Sequence, residues 1–396
     1  MRYCKKCMMP DTRPGSIFND EGVCQACINY EKRKMINWDQ RLEELRKLCN
    51  KYRRSDGYYD CVIPVSGGKD SHRLVYEMKV KMDMNPLLIT VGDPFTKTEA
   101  GLKNYRNLGD TFGCDHIQFD LSIDLFRRVT KIGFEEMGIP LKFVEAAIYT
   151  VPLKMAMKFG IPFVVYGENS AYEYGTTDQD NYSANETISQ IFENIDMDFW
   201  LQRGISRKEV NAIVPTSEEQ KNVNPEVIFM SYFTPWSSVK NLDIAKRYGF
   251  HDLSHEWKRE GCIEDFEQID SVAYMVHLWL KYPKFGFQRT SDIVSRRVRE
   301  GLISLPEAKK LIAEHDPKLD QRAMDDFITF LGYTPLQFWN IVEKFWNRDI
   351  FENIDERWQL KKGILFKFEG EFSNQENIQH FCHTVPKLDA SLEDVF

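Results

Sequence analysis

Short apolar runs alternate with longer amphipathic segments between residues 60 and 250. The runs are typical of buried strands, and the segments between them show the three-to-four-residue spacing of helices. We predict strands at 61–65, 86–91, 116–119, 162–166 and 227–232. We predict helices at 38–52, 70–82, 97–112, 123–137, 142–159 and 241–248. This alternation favours an α/β fold with a parallel sheet that helices cover on both faces.

Other parts of the chain depart from this pattern. Residues 171–224 carry little strand signal and are too long for a simple loop, so we expect a partly helical insertion there. After residue 257 the pattern predicts helices and no strands, with helices at 266–282, 291–300, 305–315, 321–331 and 335–346. We therefore expect an N-terminal unit (1–35), an α/β domain (36–256, with the insertion) and a helical C-terminal region (257–396).

The first predicted strand runs into the hexapeptide Ser-Gly-Gly-Lys-Asp-Ser, and a predicted helix follows. A strand, a glycine turn and a helix N-terminus direct backbone N–H groups to one point, which is typical of a phosphate site. An aspartate there can hold Mg2+ on the phosphates. The spacing is not that of a GxxxxGKS/T loop. The predicted nucleotide-binding residues are Ser66, Gly67, Gly68, Lys69, Asp70 and Ser71.

Polar residues also follow two later strands of the predicted sheet. Val91, Gly92 and Asp93 end one strand, and Gly167, Glu168 and Asn169 follow another. Because ligands of parallel sheets bind at the carboxyl ends of the strands, we expect both segments to converge with the hexapeptide in one crevice.

Four cysteines near the N-terminus form two Cys-x-x-Cys pairs. Cys4 and Cys7 are separated from Cys24 and Cys27 by sixteen residues. This spacing is typical of a zinc site, and four protein ligands leave no open coordination position. We therefore expect a zinc-ribbon-like unit with a structural Zn2+ whose binding contributes folding energy.

A basic stretch lies in the predicted helical region. Lys281, Lys284 and Arg289 flank an aromatic segment that contains a glycine, and Arg296, Arg297 and Arg299 follow. Positioned cations stabilise the charge of a leaving pyrophosphate. We predict that Lys284 and Arg289 act in catalysis, and the alternative is a solvated basic face.

Composition narrows the classes of function. The formal net charge of −8 disfavours a broad nucleic-acid surface. No apolar stretch approaches the ~18 residues of a membrane span, and the first residues lack the apolar region of a signal peptide. Nine cysteines, an odd number, fit a reducing compartment better than a disulfide framework. We therefore expect a cytoplasmic protein.

The hexapeptide resembles the SGGxDS signature of the PP-loop ATP pyrophosphatases, which include GMP synthetase, NAD synthetase and tRNA thiolases. The cysteine pairs, the segment Tyr166-Gly167-Glu168-Asn169 and the stretch from Lys281 to Arg289 extend the likeness over most of the chain. With them, the chain resembles the N-acetyl sugar amidotransferases of the PseA/WbpG group, which serve bacterial surface-polysaccharide and flagellin-glycan pathways.

The resemblance implies a reaction in which ATP adenylates the acetamido oxygen of a nucleotide-linked diacetamido sugar and pyrophosphate leaves. Ammonia then attacks the imidate carbon and AMP departs, so that an acetamidino group remains. The hexapeptide would hold the phosphates, with Asp70 on Mg2+. Val91, Gly92 and Asp93 would face adenine and ribose, and Glu168 and Asn169 would act at the reacting centre.

The source of ammonia is a separate question. No cysteine lies in a sequence typical of a glutaminase nucleophile. We therefore expect a partner glutaminase similar to the one that serves imidazole glycerol phosphate synthase, and the resemblance points the same way.

Two other functions stay open at the level of sequence. Some tRNA thiolases also resemble a zinc ribbon joined to a PP-loop domain, but they need a cysteine pair or an iron–sulfur cluster near ATP. Cys114 and Cys262 are the residues that could form such a pair here. The other possibility is a zinc-ribbon adaptor with a vestigial ATP site, against which the intact hexapeptide weighs.

Overall fold

A computed structural model of the chain describes residues 1–176, 181–193, 195–355, 357–361 and 383–384. Parts of the predicted insertion (177–180 and 194) and of the predicted C-terminal region (356, 362–382 and 385–396) lie outside the described residues.

A five-stranded parallel sheet forms the centre of the fold. Its strands are β1 (Cys61–Pro64), β2 (Pro86–Val91), β3 (His116–Phe119), β4 (Phe163–Tyr166) and β5 (Glu226–Phe229). Their spatial order is β3-β2-β1-β4-β5, with Cys61 opposite Pro86 and Val62 opposite Val164. Strands β2 and β3 lie on one side of β1, and the later strands β4 and β5 lie on the other. The topological switch point is therefore between β1 and β4. The predicted α/β fold with a parallel sheet is confirmed.

Helices connect these strands and precede them. They are α1 (Gln25–Arg33), α2 (Trp38–Tyr52), α3 (Lys69–Val75), α4 (Glu99–Phe112), α5 (Ile123–Ile132), α6 (Lys142–Phe159), α7 (Ser170–Tyr174), α8 (Asn185–Glu193), α9 (Met197–Gln202), α10 (Arg207–Ile213), α11 (Ser217–Asn222), α12 (Met230–Phe233) and α13 (Ser238–Arg247). Both α3 and α5 continue into π-helical turns, Tyr76–Lys81 and Gly133–Met137. Helices α7–α11 occupy the described part of the predicted insertion, so its helical character is confirmed.

The two faces of the sheet bury different cores because neighbouring strand residues point to opposite sides. Residues of one face pack with α5 and α6, and they include Val62, Leu87, Val164 and Val227. Residues of the other face pack with α2 and α3, and they include Ile63, Leu88, Val165 and Ile228. Each fully buried aliphatic side chain stabilises the fold by roughly 1.5–3 kcal/mol. The sheet is therefore a rigid platform for the loops at its carboxyl edge.

The C-terminal region is mainly helical, as predicted. It contains α14 (Tyr274–Trp279), α15 (Lys281–Phe285), α16 (Arg289–Arg299), α17 (Leu305–His315), α18 (Gln321–Leu331), α19 (Pro335–Val342) and a 3-10 turn (Glu343–Phe345). The predicted helix at 266–282 is shorter than expected, because residues 266–272 run beside the start of α4. There the N–H of Thr98 donates to the carbonyl of Asp270 at 3.3 Å, and the N–H of Val272 donates to that of Thr96 at 2.9 Å.

The prediction that strands stop after residue 257 is wrong. An antiparallel sheet contains β6 (Phe351–Ile354), β7 (Arg357–Leu360) and β8 (His383–Thr384). Its buried side chains are mostly aromatic, and the ring of Trp358 stacks on Trp346 at 5.6 Å. β6 and β7 mix apolar with polar or charged residues, so they lack the continuous apolar runs that marked most strands of the parallel sheet.

In the part of the chain that the structure describes, no helix combines the length and apolar character needed to cross a membrane.

Gly101 tests the packing of α4 against residues 266–272. A Cβ atom there would lie 2.6 Å from the Cα of Asp270. Although alanine favours helices by about 1 kcal/mol over glycine, we expect Gly101→Ala to lower the free energy of unfolding by roughly 1–3 kcal/mol through this overlap. Denaturant unfolding measures the change, with the exposed Arg106→Ala as control. A Gly101→Ala protein as stable as the wild type would contradict the described packing.

Candidate functional site: a cleft at the switch point

The hexapeptide 66–71 links the end of β1 to the start of α3. Gly67 has φ +92°, which favours glycine, and a Cβ atom there would lie 3.1 Å from the backbone nitrogen of Tyr105. The N–H of Ser66 donates to Oγ of Ser71 at 2.9 Å, and the N–H of Gly68 donates to Oγ of Ser66 at 3.3 Å. The first N–H groups of α3 have no partner within the helix. This turn therefore has the form of an anion site.

A cleft that is partly open to solvent begins beside the hexapeptide. Asp70, Glu168 and Asn169 all line it, so three of the predicted catalytic residues come together. The other lining residues are Tyr30, Arg33, Tyr172, Glu173, Ser231, Trp236, Ser238, Arg296, Arg299 and Glu300. The cleft thus lies between the carboxyl edge of the sheet and the basic helix α16.

Buried charges connect the hexapeptide to α16. The ammonium of Lys69 lies 2.6 Å from Asp70 and 3.0 Å from Glu267. Glu267 also pairs with Arg289 and, at 2.8 Å, with Arg296. Although burial raises the pKa of Glu267, the three cations outweigh it and hold that pKa well below its usual range. A single carboxylate therefore fixes Lys69 and both arginines.

Other polar contacts fix the two ends of this chain of charges. The side-chain amide of Asn241, on α13, donates to Asp70 at 2.8 Å. At the other end Arg296 pairs with Glu173 at 2.6 Å. The sequence analysis missed Asn241, Glu173 and Glu267. The signal that points to Glu267 is indirect: a run of buried cations needs acidic partners, and residues 264–267 are acid-rich.

Glu168 lies where acidic side chains crowd the cleft. Enclosure by protein atoms, followed by the negative charges of Asp70 and Glu173, raises the pKa of Glu168 well above its usual value. Because its side chain still contacts solvent through the cleft, the repulsion between the carboxylates is the dominant cause. Oxygen ligands that repel one another favour a bound divalent cation.

Val91, Gly92 and Asp93 lie at the end of β2, on the same edge of the sheet as the hexapeptide. A Cβ atom on Gly92 would overlap the exposed carboxylate of Asp120, so that side chain would have to move. Asp93 accepts hydrogen bonds from Lys97 at 2.6 Å and from the N–H of Phe95 at 3.0 Å. Their role in binding adenine and ribose remains a prediction.

The two cations predicted to act in catalysis, Arg289 and Lys284, lie in different surroundings. Arg289 belongs to the buried charge network and also donates to the hydroxyl of Tyr174 at 3.2 Å. Lys284 lies apart, and its ammonium donates to the carbonyl of Gly138 at 2.7 Å. Lys284 does not line the cleft, so its predicted action on pyrophosphate gains no support from the geometry.

The four cysteines of the N-terminal unit converge in a buried cluster. All four sulfur atoms lie within 4.8 Å of one another, with Cys4 and Cys27 at 3.8 Å and Cys7 and Cys24 at 3.5 Å. Sulfur atoms at ~2.3 Å from a zinc ion form a tetrahedron with edges of ~3.8 Å. The cluster can therefore hold a metal ion, and the N–H of Cys24 donates to the sulfur of Cys4 at 3.2 Å.

Arg299 joins this cluster to the cleft. Its guanidinium donates to the sulfur of Cys7 at 3.4 Å and to the carbonyl of Glu173 at 2.9 Å, and it also lines the cleft. Hydrogen bonds to ligand atoms orient those atoms and tune the affinity for metal. The cysteine cluster thus positions one wall of the cleft.

Comparison with known proteins gives one match to a family. Residues 260–364 match the model of the family described as LPS biosynthesis protein WbpG-like, C-terminal domain. The predicted resemblance to this group is confirmed for that part of the chain, which includes Glu267 and α16.

Similar proteins that cover more of the chain were also found. An uncharacterised protein of Methanocaldococcus jannaschii is 29% identical over 318 residues, which cover 78% of this chain and 92% of that protein. Similar solved structures include the U34-tRNA thiolase NcsA from Methanococcus maripaludis with its 4Fe–4S cluster (14% identity, 76% of this chain, 87% of that chain, TM-score 0.30). They also include NMN synthetase from Francisella tularensis (12% identity, 54% of this chain, 93% of that chain, TM-score 0.28).

Metal analysis tests the cysteine cluster. We expect about one bound ion per chain in the wild type and essentially none in Cys24→Ser, because a tetrahedral site loses one of its four ligands. Elemental analysis by mass spectrometry measures the content. Cys262→Ser, which changes a thiol outside the cluster, serves as control. Full metal content in Cys24→Ser would contradict the assignment.

Glu267→Gln tests the charge network. Three cations lose their shared counter-ion, so we expect the free energy of unfolding to fall by about 3–5 kcal/mol. Because the folded-state pKa of Glu267 is lowered, its contribution exists above the unfolded-state pKa of ~4.3 and is lost as the pH falls from there towards the folded-state value.

Unfolding experiments at pH 7 and in acid check both parts of this expectation. The exposed Glu260→Gln serves as control and should change stability by less than about 0.5 kcal/mol. An equal effect of the two substitutions at pH 7 would show that the buried network does not stabilise the fold.

Proposed function

We propose that this protein is an ATP-dependent amidotransferase that converts an acetamido group of a nucleotide-linked sugar into an acetamidino group and releases AMP and pyrophosphate. The observation that carries the proposal is that the WbpG-like region and the hexapeptide 66–71 share one cleft, with Glu267 bonded to both Lys69 and Arg296. The cellular role would be the synthesis of a bacterial surface glycan, in the cytoplasm.

In this proposal the hexapeptide binds the phosphates of ATP. The turn at Gly67 and the N–H groups at the start of α3 provide donors for phosphate oxygens. Asp70 and Glu168 hold Mg2+, whose charge relieves the repulsion between the carboxylates of the cleft. Gly92 and Asp93, at the end of the neighbouring strand, bind the nucleoside.

Cations of α16 stabilise the departing pyrophosphate. Arg296 and Arg299 line the cleft, and both are held by other groups: Arg296 by Glu173 and Glu267, and Arg299 by Cys7. Charges that are fixed before the reaction cost no reorganisation in the transition state. The ion held by the cysteine cluster, which we propose to be Zn2+, would have a structural role only.

The reaction needs no nucleophile from the protein. The amide oxygen attacks the α-phosphate, the bond to pyrophosphate breaks, and ammonia then displaces AMP from the imidate carbon. Asn169, whose N–H donates to Oγ of Ser231 at 3.0 Å, would orient the acetamido group. Orientation of this kind supplies much of the rate in reactions that the protein does not enter covalently.

Ammonia would come from a partner glutaminase. Among the described cysteines outside the metal cluster, burial raises the pKa of Cys49 to about 12 and that of Cys114 to about 11, and it also raises those of Cys61 and Cys262. Thiols with raised pKa are poor nucleophiles, so none of these four suits glutamine hydrolysis.

The alternative of a tRNA thiolase gains no support from the described residues. Cys114 packs in the core on one face of the sheet with Phe112, whereas Cys262 packs against the core on the other face. The cysteine pair that the sequence left open does not form.

The test is a product assay with ATP, Mg2+, ammonium and a panel of nucleotide-linked diacetamido sugars, read by mass spectrometry. We expect AMP, pyrophosphate and a sugar about one mass unit lighter, because O is replaced by NH. AMP release that depends on tRNA and a sulfur donor, with every sugar unchanged, would overturn the proposal.

Asp70→Asn tests the assigned phosphate and Mg2+ site. The substitution removes a cleft carboxylate and preserves its shape, so we expect AMP formation to fall by about 10²-fold or more. The exposed Asp110→Asn serves as control and should keep wild-type activity. Wild-type activity in Asp70→Asn would rule out this role for Asp70.

A further inference from the structure

A polar stripe crosses an otherwise apolar helical segment. Along α14 and α15, spacings of three, four and three residues place four polar side chains on one face of the helical segment. They are Tyr274, His277, Lys281 and Lys284, and each is only partly buried. The residues between them, from Met275 to Leu280, are buried and apolar apart from His277. Lys281 is already paired, with its ammonium 2.7 Å from the carboxylate of Asp292, so the polar groups that still call for an explanation are the other three.

The stripe contacts α6 through a histidine–carboxylate pair. Nε2 of His277 lies 2.9 Å from the carboxylate of Glu145, yet the Glu145 side chain remains 44% exposed. One side of this carboxylate is therefore open to a ligand. The ring of Tyr274 lies 5.6 Å from that of His277 and extends the same surface.

Tyr149 connects this surface to the cleft. It follows Glu145 by one turn of α6, and its ring stacks on Tyr166 at 5.6 Å. Burial, followed by the charges of Glu168 and Glu145, raises the pKa of Tyr149 to about 12. Tyr166 ends β4 two residues before Glu168, so Tyr149 links the stripe to the strand end that carries the proposed reacting centre.

Lys284 has no carboxylate partner among the described residues, although its side chain is partly buried. Its ammonium donates to the carbonyl of Gly138 at 2.7 Å. Burial, together with the positive charge of Lys281, lowers the pKa of Lys284 to about 8 despite the opposing effect of Glu145. A partly buried ammonium without a counter-ion loses part of its hydration, and at the end of a polar surface it is typical of a site that binds an anion.

We propose that the facing surfaces of α6 and α14–α15 form the acceptor subsite, where Lys284 binds an anionic group of an acetamido sugar and Glu145 accepts hydrogen bonds from sugar hydroxyls. Tyr149 and Tyr274 provide aromatic faces for the apolar side of the ring. His277 is a positioning residue that fixes Glu145. The inference rests on the proposed function and adds where the sugar lies.

The anion could come from two sources with the same chemistry: the diphosphate that links a nucleotide to the sugar, or a carboxylate on the sugar ring. A lysine ammonium is a point charge that serves either. Two probes separate them, UDP-N-acetylglucosamine for the diphosphate and N-acetylneuraminic acid for the carboxylate.

The experiment is calorimetric titration of each probe into full-length wild type, Glu145→Gln, Lys284→Met and Lys284→Arg, in the presence of a non-hydrolysable ATP analogue. We expect Lys284→Met and Glu145→Gln to weaken the affinity for at least one probe by tenfold or more. Lys284→Arg, which keeps the charge, should restore part of it. Affinity for the ATP analogue should stay within twofold, which also shows that the variants are folded. Lys158→Met, an exposed lysine on α6, serves as control.

Loss of affinity for one probe alone identifies the source of the anion. Unchanged affinity in both Lys284→Met and Glu145→Gln, or a wild type that binds neither probe, would overturn the subsite. Failure of the proposed function is a separate result: the wild type would bind a probe, but no sugar in the product assay would exchange oxygen for nitrogen.

Discussion

The buried ion pairs around Glu267 are the constraint on which the cleft depends. Three cations, Lys69, Arg289 and Arg296, converge on one carboxylate that is almost fully enclosed. None of these charges could stay buried alone, because removal from water costs several kcal/mol per ion. The sheet domain and the C-terminal region must therefore assemble together for any of them to be satisfied. The phosphate-type turn and the basic helix reach their positions only in that assembly.

The cysteine cluster is also bonded to the side of the cleft that α16 forms. Arg299 bonds to Cys7 on one side and to the backbone of Glu173 on the other, while Glu173 pairs with Arg296. The N-terminal unit also lines the cleft directly through Tyr30 and Arg33, on the helix α1 that carries Cys27. The N-terminal unit therefore shapes the cleft both directly and through Arg299.

The parts of the fold that could be predicted from the sequence are those with strong local signals. Strands such as β1 and β2 are continuous apolar runs. The spacing of the two Cys-x-x-Cys pairs is typical of a four-cysteine metal site, and the four sulfur atoms do cluster. Glu267, Asn241 and Glu173 could not be predicted, because their roles depend on charges that are distant in the chain. Lys284 is the opposite case, a residue whose sequence signal was misleading. Its place in a basic stretch predicted a contact with pyrophosphate, but its ammonium donates to the carbonyl of Gly138.

In the proposed reaction ATP adenylates the acetamido oxygen, and transfer of an oxygen label from the sugar tests this step. A sugar substrate carrying oxygen-18 in the acetamido group is turned over with ATP, Mg2+ and ammonia, and the AMP is analysed by mass spectrometry. We expect the heavy oxygen to appear in the phosphate of AMP, because the bond between carbon and oxygen breaks when ammonia displaces AMP. Unlabelled AMP, formed while the sugar is converted, would contradict it.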